Sequence, residues 1–285
     1  MSNPWAPPPQ PHGPPPGQFP QDPGYPPAAP TEEDASAGAK LKRIFSDPIS
    51  IVLVVVIVLA LVFAGLLGGE LYARSRADTI VAGTVECVVQ DDATASFGVM
   101  PPFLLQHMSG HYTNIRIETA GNQIRDAKGM KVNLEINDVR IEDTATSSGS
   151  IGSLVANISW SAEGIKETIQ GAIPLVGSFV NGVTTNANDG TIELEGALGS
   201  ITAKPEVVNG GLSLQVQQVT GLGFTLPREA VQPALDAFTA ELTQNYPMDI
   251  KADSVEVTDS GVVSQFSTQN ASIPKGEQDP CFASL

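Results

Sequence analysis

Two histidines four residues apart, His107 and His111, have the spacing in this sequence that best suits metal chemistry. On a helix, residues at i and i+4 lie on the same side and can bind one metal ion together. However, Ser109 and Gly110 stand between the two histidines, and no carboxylate follows at the spacing of a metal motif. We therefore favour a structural or surface role for both imidazoles and predict no metal site.

Other catalytic signatures are missing from the sequence as well. It contains no G-x-S-x-G, no Walker A loop, no H-E-x-x-H and no C-x-x-C. Its many carboxylates are scattered along predicted strands, as on a solvated face, and do not form an acid/base pair. We predict no catalytic residue, no cofactor and no enzymatic activity.

The chain has two cysteines, Cys87 and Cys281, and both follow a long apolar run. Two lone cysteines on one side of a membrane suit an oxidising exterior, so we predict a disulfide between them. Two free thiols or a metal-binding pair are the alternatives. They are disfavoured because no other soft ligand clusters with these residues in the sequence.

The apolar run, Ile49 to Gly69, has no charged residue and only one polar side chain, Ser50. As a helix it would be roughly 31 Å long, enough to cross a bilayer core of about 30 Å. A soluble core helix would show a polar stripe, and this run shows none. We predict a membrane span or an uncleaved signal anchor. A cleaved signal peptide is the disfavoured alternative because the run begins so far from the start.

Basic residues flank this run with a small excess on its N-terminal side, which favours a cytoplasmic N-terminus. We predict a cytoplasmic tail over residues 1–47, a transmembrane helix over 48–69 and a domain over 70–285 in the periplasm or cell envelope. The protein would thus be a single-pass protein of the cell (inner) membrane. The flanking residues are Lys40, Lys42 and Arg43 before the run, and Arg74 and Arg76 after it.

The first 30 residues hold more than half of the chain's 23 prolines and no Lys or Arg. Such a segment cannot bury enough apolar surface to fold, so we predict a disordered tail with polyproline II character. A docking motif built on Trp5, Phe19 and Tyr25 is the alternative. Most of the net charge of −16 falls on the exterior part. This excess argues against nucleic-acid binding and against capture by an anionic membrane through bulk charge.

Beyond the span, apolar and polar residues alternate in many long segments, which predicts antiparallel strands separated by turns. Two helical patterns interrupt them, at Ala162–Gln170 and Pro227–Asn245, the second with an apolar stripe. The fold class is α+β. The predicted strands are Ala95–Met100, Tyr112–Thr119, Met130–Ile141 with a bulge near Asp138, Ser153–Trp160, Ile192–Leu198, Ile201–Val208, Leu212–Val219, Met248–Val257 and Val262–Thr268.

Several short motifs occur here in a familiar order. Arg74-Ser75-Arg76-Ala77-Asp78 follows the anchor, a strand then runs into Phe97-Gly98-Val99-Met100-Pro101-Pro102-Phe103-Leu104, and Ser109-Gly110-His111-Tyr112 precedes the next strand. Over about residues 70–270 this resembles the LmeA-like phospholipid-binding envelope proteins of actinobacteria, of the mycobacterial type. Both the Gly-x-x-Pro-Phe-Leu strand end and the Gly-x-Tyr strand start of that family are present, the first with a doubled proline.

The resemblance implies a long, curved antiparallel sheet wrapped on helices, as in the tubular lipid-binding (TULIP, BPI-like) fold. It also implies phospholipid binding, phosphoinositides among the ligands, and support of lipid or lipoglycan (lipomannan-type) assembly or transport. Strands with one apolar face and a striped helix are physically compatible with a dry groove for acyl chains. We carry nothing over to the proline-rich tail.

The apolar residues expected to contact lipid lie on three segments. For the segment 173–180 a buried loop or strand is left open as an alternative, and for the helix stripe plain core packing is the favoured alternative. The expected lipid-contacting residues are Phe97, Met100, Phe103, Leu104, Leu105, Met108, Leu175, Val176, Phe179, Val231, Leu235, Phe238 and Leu242.

Two other function classes stay open from the sequence. One is an adaptor that stabilises envelope glycosyltransferases, or other envelope biosynthesis proteins, through its surface or its proline-rich tail. The other is a hydrolase of envelope lipids, for which His107 and His111 would be the residues to test.

Overall fold

The computed structural model describes residues 47–172, 180–243, 247–275 and 280–282. It shows an α+β chain in which one long apolar helix precedes a large antiparallel sheet, a second antiparallel sheet and a few short helices. Among the described residues, those up to Ala60 belong to one unit and those from Leu61 onward belong to another. The sheets and short helices all belong to the second unit, so the predicted α+β class is confirmed for it.

The long helix, α1 (Pro48–Val89), has 42 residues and runs without interruption. Its most apolar stretch has a mean hydropathy of 3.3, and none of that stretch is buried by protein. Among the described residues it is the helix that is long and apolar enough to cross a membrane. This is compatible with a single-pass anchor.

The larger sheet has six strands in the spatial order β1, β2, β5, β6, β13, β12, and every neighbouring pair is antiparallel. Two strands, β6 and β13, extend well beyond the predicted bounds, because residues 147–152 and 269–274 also pair with each other. Its strands are β1 (Ala93–Phe97), β2 (His111–Thr119), β5 (Met130–Ile141), β6 (Ser147–Ser161), β12 (Lys251–Thr258) and β13 (Gly261–Pro274).

The smaller sheet has five strands in the order β11, β10, β9, β8, β7, and a short hairpin forms a separate two-stranded sheet. Strands β3, β4, β7 and β11 were not predicted. Each is short or lacks an alternating apolar pattern. The strands are β3 (Gln123–Ile124), β4 (Ala127–Lys128), β7 (Val180–Asn186), β8 (Thr191–Gly196), β9 (Gly199–Val208), β10 (Gly211–Gly221) and β11 (Phe224–Leu226).

In the described part of the second unit, three short helices follow α1: α2 (Phe103–Ser109), α3 (Ala162–Ala172) and α4 (Gln232–Thr243). Ser161 caps α3, because its hydroxyl accepts a hydrogen bond from the backbone N–H of Gly164 at 3.0 Å. The predicted start of the last helix at Pro227 is wrong. A 3₁₀ turn (Arg228–Ala230) comes first, so Pro233 lies in the first turn of α4, where a missing N–H costs little.

A row of four residues crosses the middle of the six-stranded sheet, and the alternation of buried side chains changes there. Thr113, Asp138, Gly152 and Asn270 occupy matching positions in β2, β5, β6 and β13. Asp138 and Asn270 have positive φ, and Gly152 has no side chain to clash with Asp138. The strand pairing does not slip at Asp138, so the predicted bulge is wrong; the left-handed backbone causes the change.

As a result, apolar side chains on both sides of this row share one core. Val139, Ile151 and Leu154 form its buried centre. Val139 and Ile151 lie beyond the row and Leu154 before it, although a regular strand would place Ile151 and Leu154 on opposite faces.

The end of α1 is fixed to the following loop by Asp91 and Arg125. The Asp91 carboxylate accepts hydrogen bonds from the backbone N–H groups of Gly121, Asn122 and Gln123 and from the Asn122 side chain. Arg125 donates to the carbonyls of the last helical turn, where a positive charge is favourable. Burial alone would raise the pKa of Asp91, but these hydrogen bonds lower it below its ordinary value.

The Asp91→Asn variant is therefore expected to be less stable than the wild type at pH 7, by about 1 kcal/mol. A lowered pKa in the folded state means that the stabilisation is present above the unfolded pKa of about 3.9 and is lost as the pH falls through the folded pKa. The stability difference should thus shrink below about pH 4. Thermal unfolding across this pH range checks it. Asp92→Asn, at an exposed neighbouring residue, serves as the control, and a pH-independent difference would contradict the account.

Candidate functional site

The six-stranded sheet has one apolar face, which we call the inner face. Neighbouring strands place apolar residues opposite each other in rows, such as Ile117, Leu134 and Ala156. Inner-face residues contributed by the three central strands are Ile115 and Ile117 of β2, Val132, Leu134 and Ile136 of β5, and Ala156, Ile158 and Trp160 of β6.

All eight of these side chains are only half-buried. Side chains in a close-packed interior would be fully covered, as Leu154 and Phe266 are on the same face. The inner face therefore keeps solvent-accessible apolar surface along three adjacent strands. Each Å² of such surface that is covered by hydrocarbon gains about 25 cal/mol.

The opposite, outer face of the same strands is polar and carries an open cleft of about 250 Å³. Arg116 lies in this cleft, and Glu135 pairs with it at 3.0 Å. Glu118, the second carboxylate of the cleft, pairs with Lys131 at 2.5 Å, so the cations at the cleft already have carboxylate partners. The cleft does not suit a phosphate group.

The edge of the sheet at β1 is covered by three charged side chains that stand at i, i+4 and i+8 on α1. Arg74 donates a hydrogen bond to the carbonyl of Phe97, and Asp78 accepts one from the N–H of Phe97 at 3.0 Å. Glu70 accepts hydrogen bonds from the N–H groups of Phe103 and Leu104, the latter at 3.0 Å. All three charged side chains thus form hydrogen bonds with backbone groups. These bonds join α1 to the end of β1 and to the start of α2.

Replacing Glu70 by alanine should leave two backbone donors at the start of α2 without their acceptor. We expect the second unit to lose about 1–2 kcal/mol of stability, measured by thermal unfolding of the full chain in detergent. Arg76→Ala, at an exposed residue on the same helix, is the matched control. Equal unfolding midpoints for both variants would show that this contact contributes nothing.

The turn between β1 and α2 packs around an aromatic cluster. The ring centroids of Phe97 lie 5.1 Å from Phe103 and 5.3 Å from Tyr112. Gln106, only 1% exposed, fixes the turn by donating to the carbonyls of Gly98 and Pro101 and accepting from the N–H of Thr113. Burial raises the pKa of the Tyr112 hydroxyl.

This packing divides the first group of predicted lipid contacts into two classes. Phe97 and Phe103 are buried within the protein's own aromatic cluster, and Leu104 is half-buried. Met100, Leu105 and Met108 are exposed, Met108 by 83% and Met100 by 75%. The exposed three form an apolar lip beside Phe97, which lies at one end of the inner face.

The second and third groups of predicted contacts are described only in part. Leu175, Val176 and Phe179 lie outside the described residues. Val231, just before α4, and Leu235 within it are half-buried. Phe238 and Leu242 belong to the backbone of α4, while their side chains lie outside the description.

Both histidines have a partner near the lip. His107 is hydrogen-bonded to the Tyr112 hydroxyl at 2.9 Å, and His111 pairs with Asp138. The hydrogen bond from His111, with the charge of Arg140 adding to it, lowers the pKa of Asp138. Within the described ranges, no Ser, Thr or Cys side chain is hydrogen-bonded to either imidazole, and no group of three His, Cys, Asp or Glu could hold a metal.

The predicted disulfide is present. Cys87, near the end of α1, is bonded to Cys281, 194 residues further along the chain, with 5.7 Å between the Cα atoms. The bond fixes the 3₁₀ turn Pro280–Phe282 to α1.

A family model for LmeA-like phospholipid-binding proteins matches residues 64–267. The chain belongs to this family. Three similar mycobacterial proteins, one from Mycobacterium bovis and two from Mycobacterium tuberculosis, are uncharacterised. Each is 55% identical over 259 residues, which cover 90% of this chain and 74% of the relative. No solved structure matches the chain.

In this LmeA-like protein, sequence reasoning missed two sets of residues. The first is Glu70, Arg74 and Asp78. Their i, i+4, i+8 spacing indicates that they lie on one face of the helix, where they can form hydrogen bonds with the same neighbouring segment. The second is Leu134, Ala156 and Ile158 on the inner face. The alternation predicted an apolar strand face that could enclose a groove for acyl chains, but these residues were not among the expected lipid contacts.

Proposed function

We propose that this LmeA-like protein is a membrane-anchored, non-catalytic phospholipid-binding protein whose inner face holds acyl chains. The observation that carries the proposal is the continuous strip of half-buried apolar side chains on β2, β5 and β6. A flexible hydrocarbon chain can cover such a strip without requiring polar partners. Membership of a phospholipid-binding family supports the same ligand class.

The exposed methionines beside the strip support a route for lipid. Met100 and Met108 are unbranched and polarizable, so they adapt to acyl chains of different shape. We infer that the lip guides lipid between a bilayer and the inner face. We also infer that the six-stranded sheet is curved, as in the tubular lipid-binding fold. We place the second unit in the cell envelope with the N-terminus in the cytoplasm. The role would be to support lipid or lipoglycan assembly or transport.

The absence of catalysis is part of the proposal. Both imidazoles are engaged, His107 with Tyr112 and His111 with Asp138. Neither has a serine, threonine or cysteine side chain as a hydrogen-bond partner within the described part of the chain.

Native mass spectrometry of the full chain tests the proposal. The protein, purified in detergent and freed from micelles in the gas phase, should carry an adduct with the mass of a phospholipid. After lipid removal, it should take phospholipid up again from vesicles of phosphatidylethanolamine, phosphatidylglycerol and phosphatidylinositol. A folded protein that carries no lipid and accepts none would refute the proposal.

A further inference from the structure

Two hairpin turns of the five-stranded sheet lie side by side, and both expose large apolar residues. The turn between β8 and β9 carries Leu198, and the turn between β10 and β11 carries Leu222. The N–H of Leu222 donates to the carbonyl of Leu198 at 2.8 Å, which joins the two turns. We call Leu198, Leu222, Phe224 and Leu226 the apolar tip. Leu222 and Phe224 are 75% and 73% exposed.

The backbone at the tip disfavours a leucine. Leu222 and Gly223 both have positive φ, 53° and 84°, the pattern of a type I′ turn, in which Asn, Asp or Gly is preferred. The turn at the opposite end of β10 follows that preference with Asn209-Gly210, at φ of 55° and 77°. A leucine at position 222 is therefore unfavourable in two ways, because it has a positive φ and because its apolar side chain is exposed. The fold does not require a leucine there.

The tip is also free of charge in a strongly acidic chain. The net charge of the protein is −16, yet no charged residue occurs in 196–203 or in 207–227. Such a surface can be transferred from water into an apolar environment without burying an ionised side chain. The absence of carboxylates also avoids repulsion by anionic headgroups.

We propose that the apolar tip inserts into the surface of a phospholipid bilayer. The convex turns suit the soft boundary between headgroups and acyl chains, which needs no complementary pocket. The chain carries its own apolar helix, so a bilayer is present at high local concentration. The inference does not depend on lipid being held by the inner face.

A tryptophan reporter tests it in the full chain held in nanodiscs. Phe224→Trp is introduced together with Trp160→Phe, and Val263→Trp in the same background is the matched control, because Val263 is exposed on the outer face. One arm uses brominated lipid in the disc, and the other adds brominated vesicles of phosphatidylcholine and phosphatidylglycerol. We expect quenching of the tip reporter, but not of the control, in one of the arms, which also identifies the bilayer that is contacted.

The double variant Leu222→Asn/Leu198→Asn should then remove the effect. In the disc arm, quenching of the tip reporter should be abolished. In the vesicle arm, the vesicle concentration that gives half-maximal quenching should rise at least about tenfold. Leu222→Asn alone should keep or raise the melting midpoint, because asparagine suits the turn. Three results would overturn the proposal. The first is a folded protein whose tip reporter is quenched in neither arm. The second is a lowered melting midpoint of Leu222→Asn. The third is a tip that contacts a second copy of the chain and not lipid.

Discussion

The Ile158→Asp variant is expected to lose at least nine-tenths of the phospholipid that the wild-type protein carries, by mass spectrometry of the purified full chain. Ile158 is half-buried on the inner face, in the row formed with Val132. A carboxylate there would have to be covered by hydrocarbon whenever lipid binds, at a cost of several kcal/mol. That cost corresponds to a drop in affinity of more than about tenfold.

Ser159→Asp provides the matched control, since the side chain of the next residue in β6 points to the outer face. The control should keep its lipid. Equal lipid content in both variants would contradict the assignment of the inner face.

Ala156→Trp separates an open face from a solid core without adding charge. Ala156 is half-buried between Leu134 and Phe266. If lipid occupies the space beside it, the indole should displace lipid and leave the melting midpoint nearly unchanged. If the protein's own side chains fill that space, overpacking should cost about 1–3 kcal/mol.

The second large effect is expected from the disulfide. Replacing both Cys87 and Cys281 by serine should lower the stability of the second unit by about 5 kcal/mol in the chain-entropy account, because the bond closes a loop of 194 residues. Chemical denaturation of the full chain in detergent measures this. Reduction of the wild-type protein should reproduce the shift. Unchanged unfolding in both cases would show that other contacts already restrain the chain end.

Much of this architecture could be predicted because it depends on local pattern. The apolar run predicted α1, and the alternation in Met130–Ile141 predicted β5 with the bounds that are observed. The pairing of two lone cysteines followed from compartment chemistry.

The rest depends on contacts between distant residues, which a single sequence does not display. The change of alternation at Asp138, Gly152 and Asn270 needs three strands in register, and none of the three strands indicates it alone. Likewise, Phe97 and Phe103 are large apolar residues of the kind that contacts lipid, but in the folded chain their rings pack against each other. The half-burial of the proposed lipid-binding strip could not be predicted, because it is a property of the assembled sheet and not of single strands.

Trp160 allows the most direct measurement of the central claim, because it is itself half-buried on the inner face. The full chain would be loaded with phospholipid brominated along its acyl chains, and tryptophan emission would be compared with that of Trp160→Phe to subtract Trp5. We predict that the emission of Trp160 is quenched by the bound brominated lipid. An unquenched Trp160 in a protein that demonstrably carries that lipid would contradict the account.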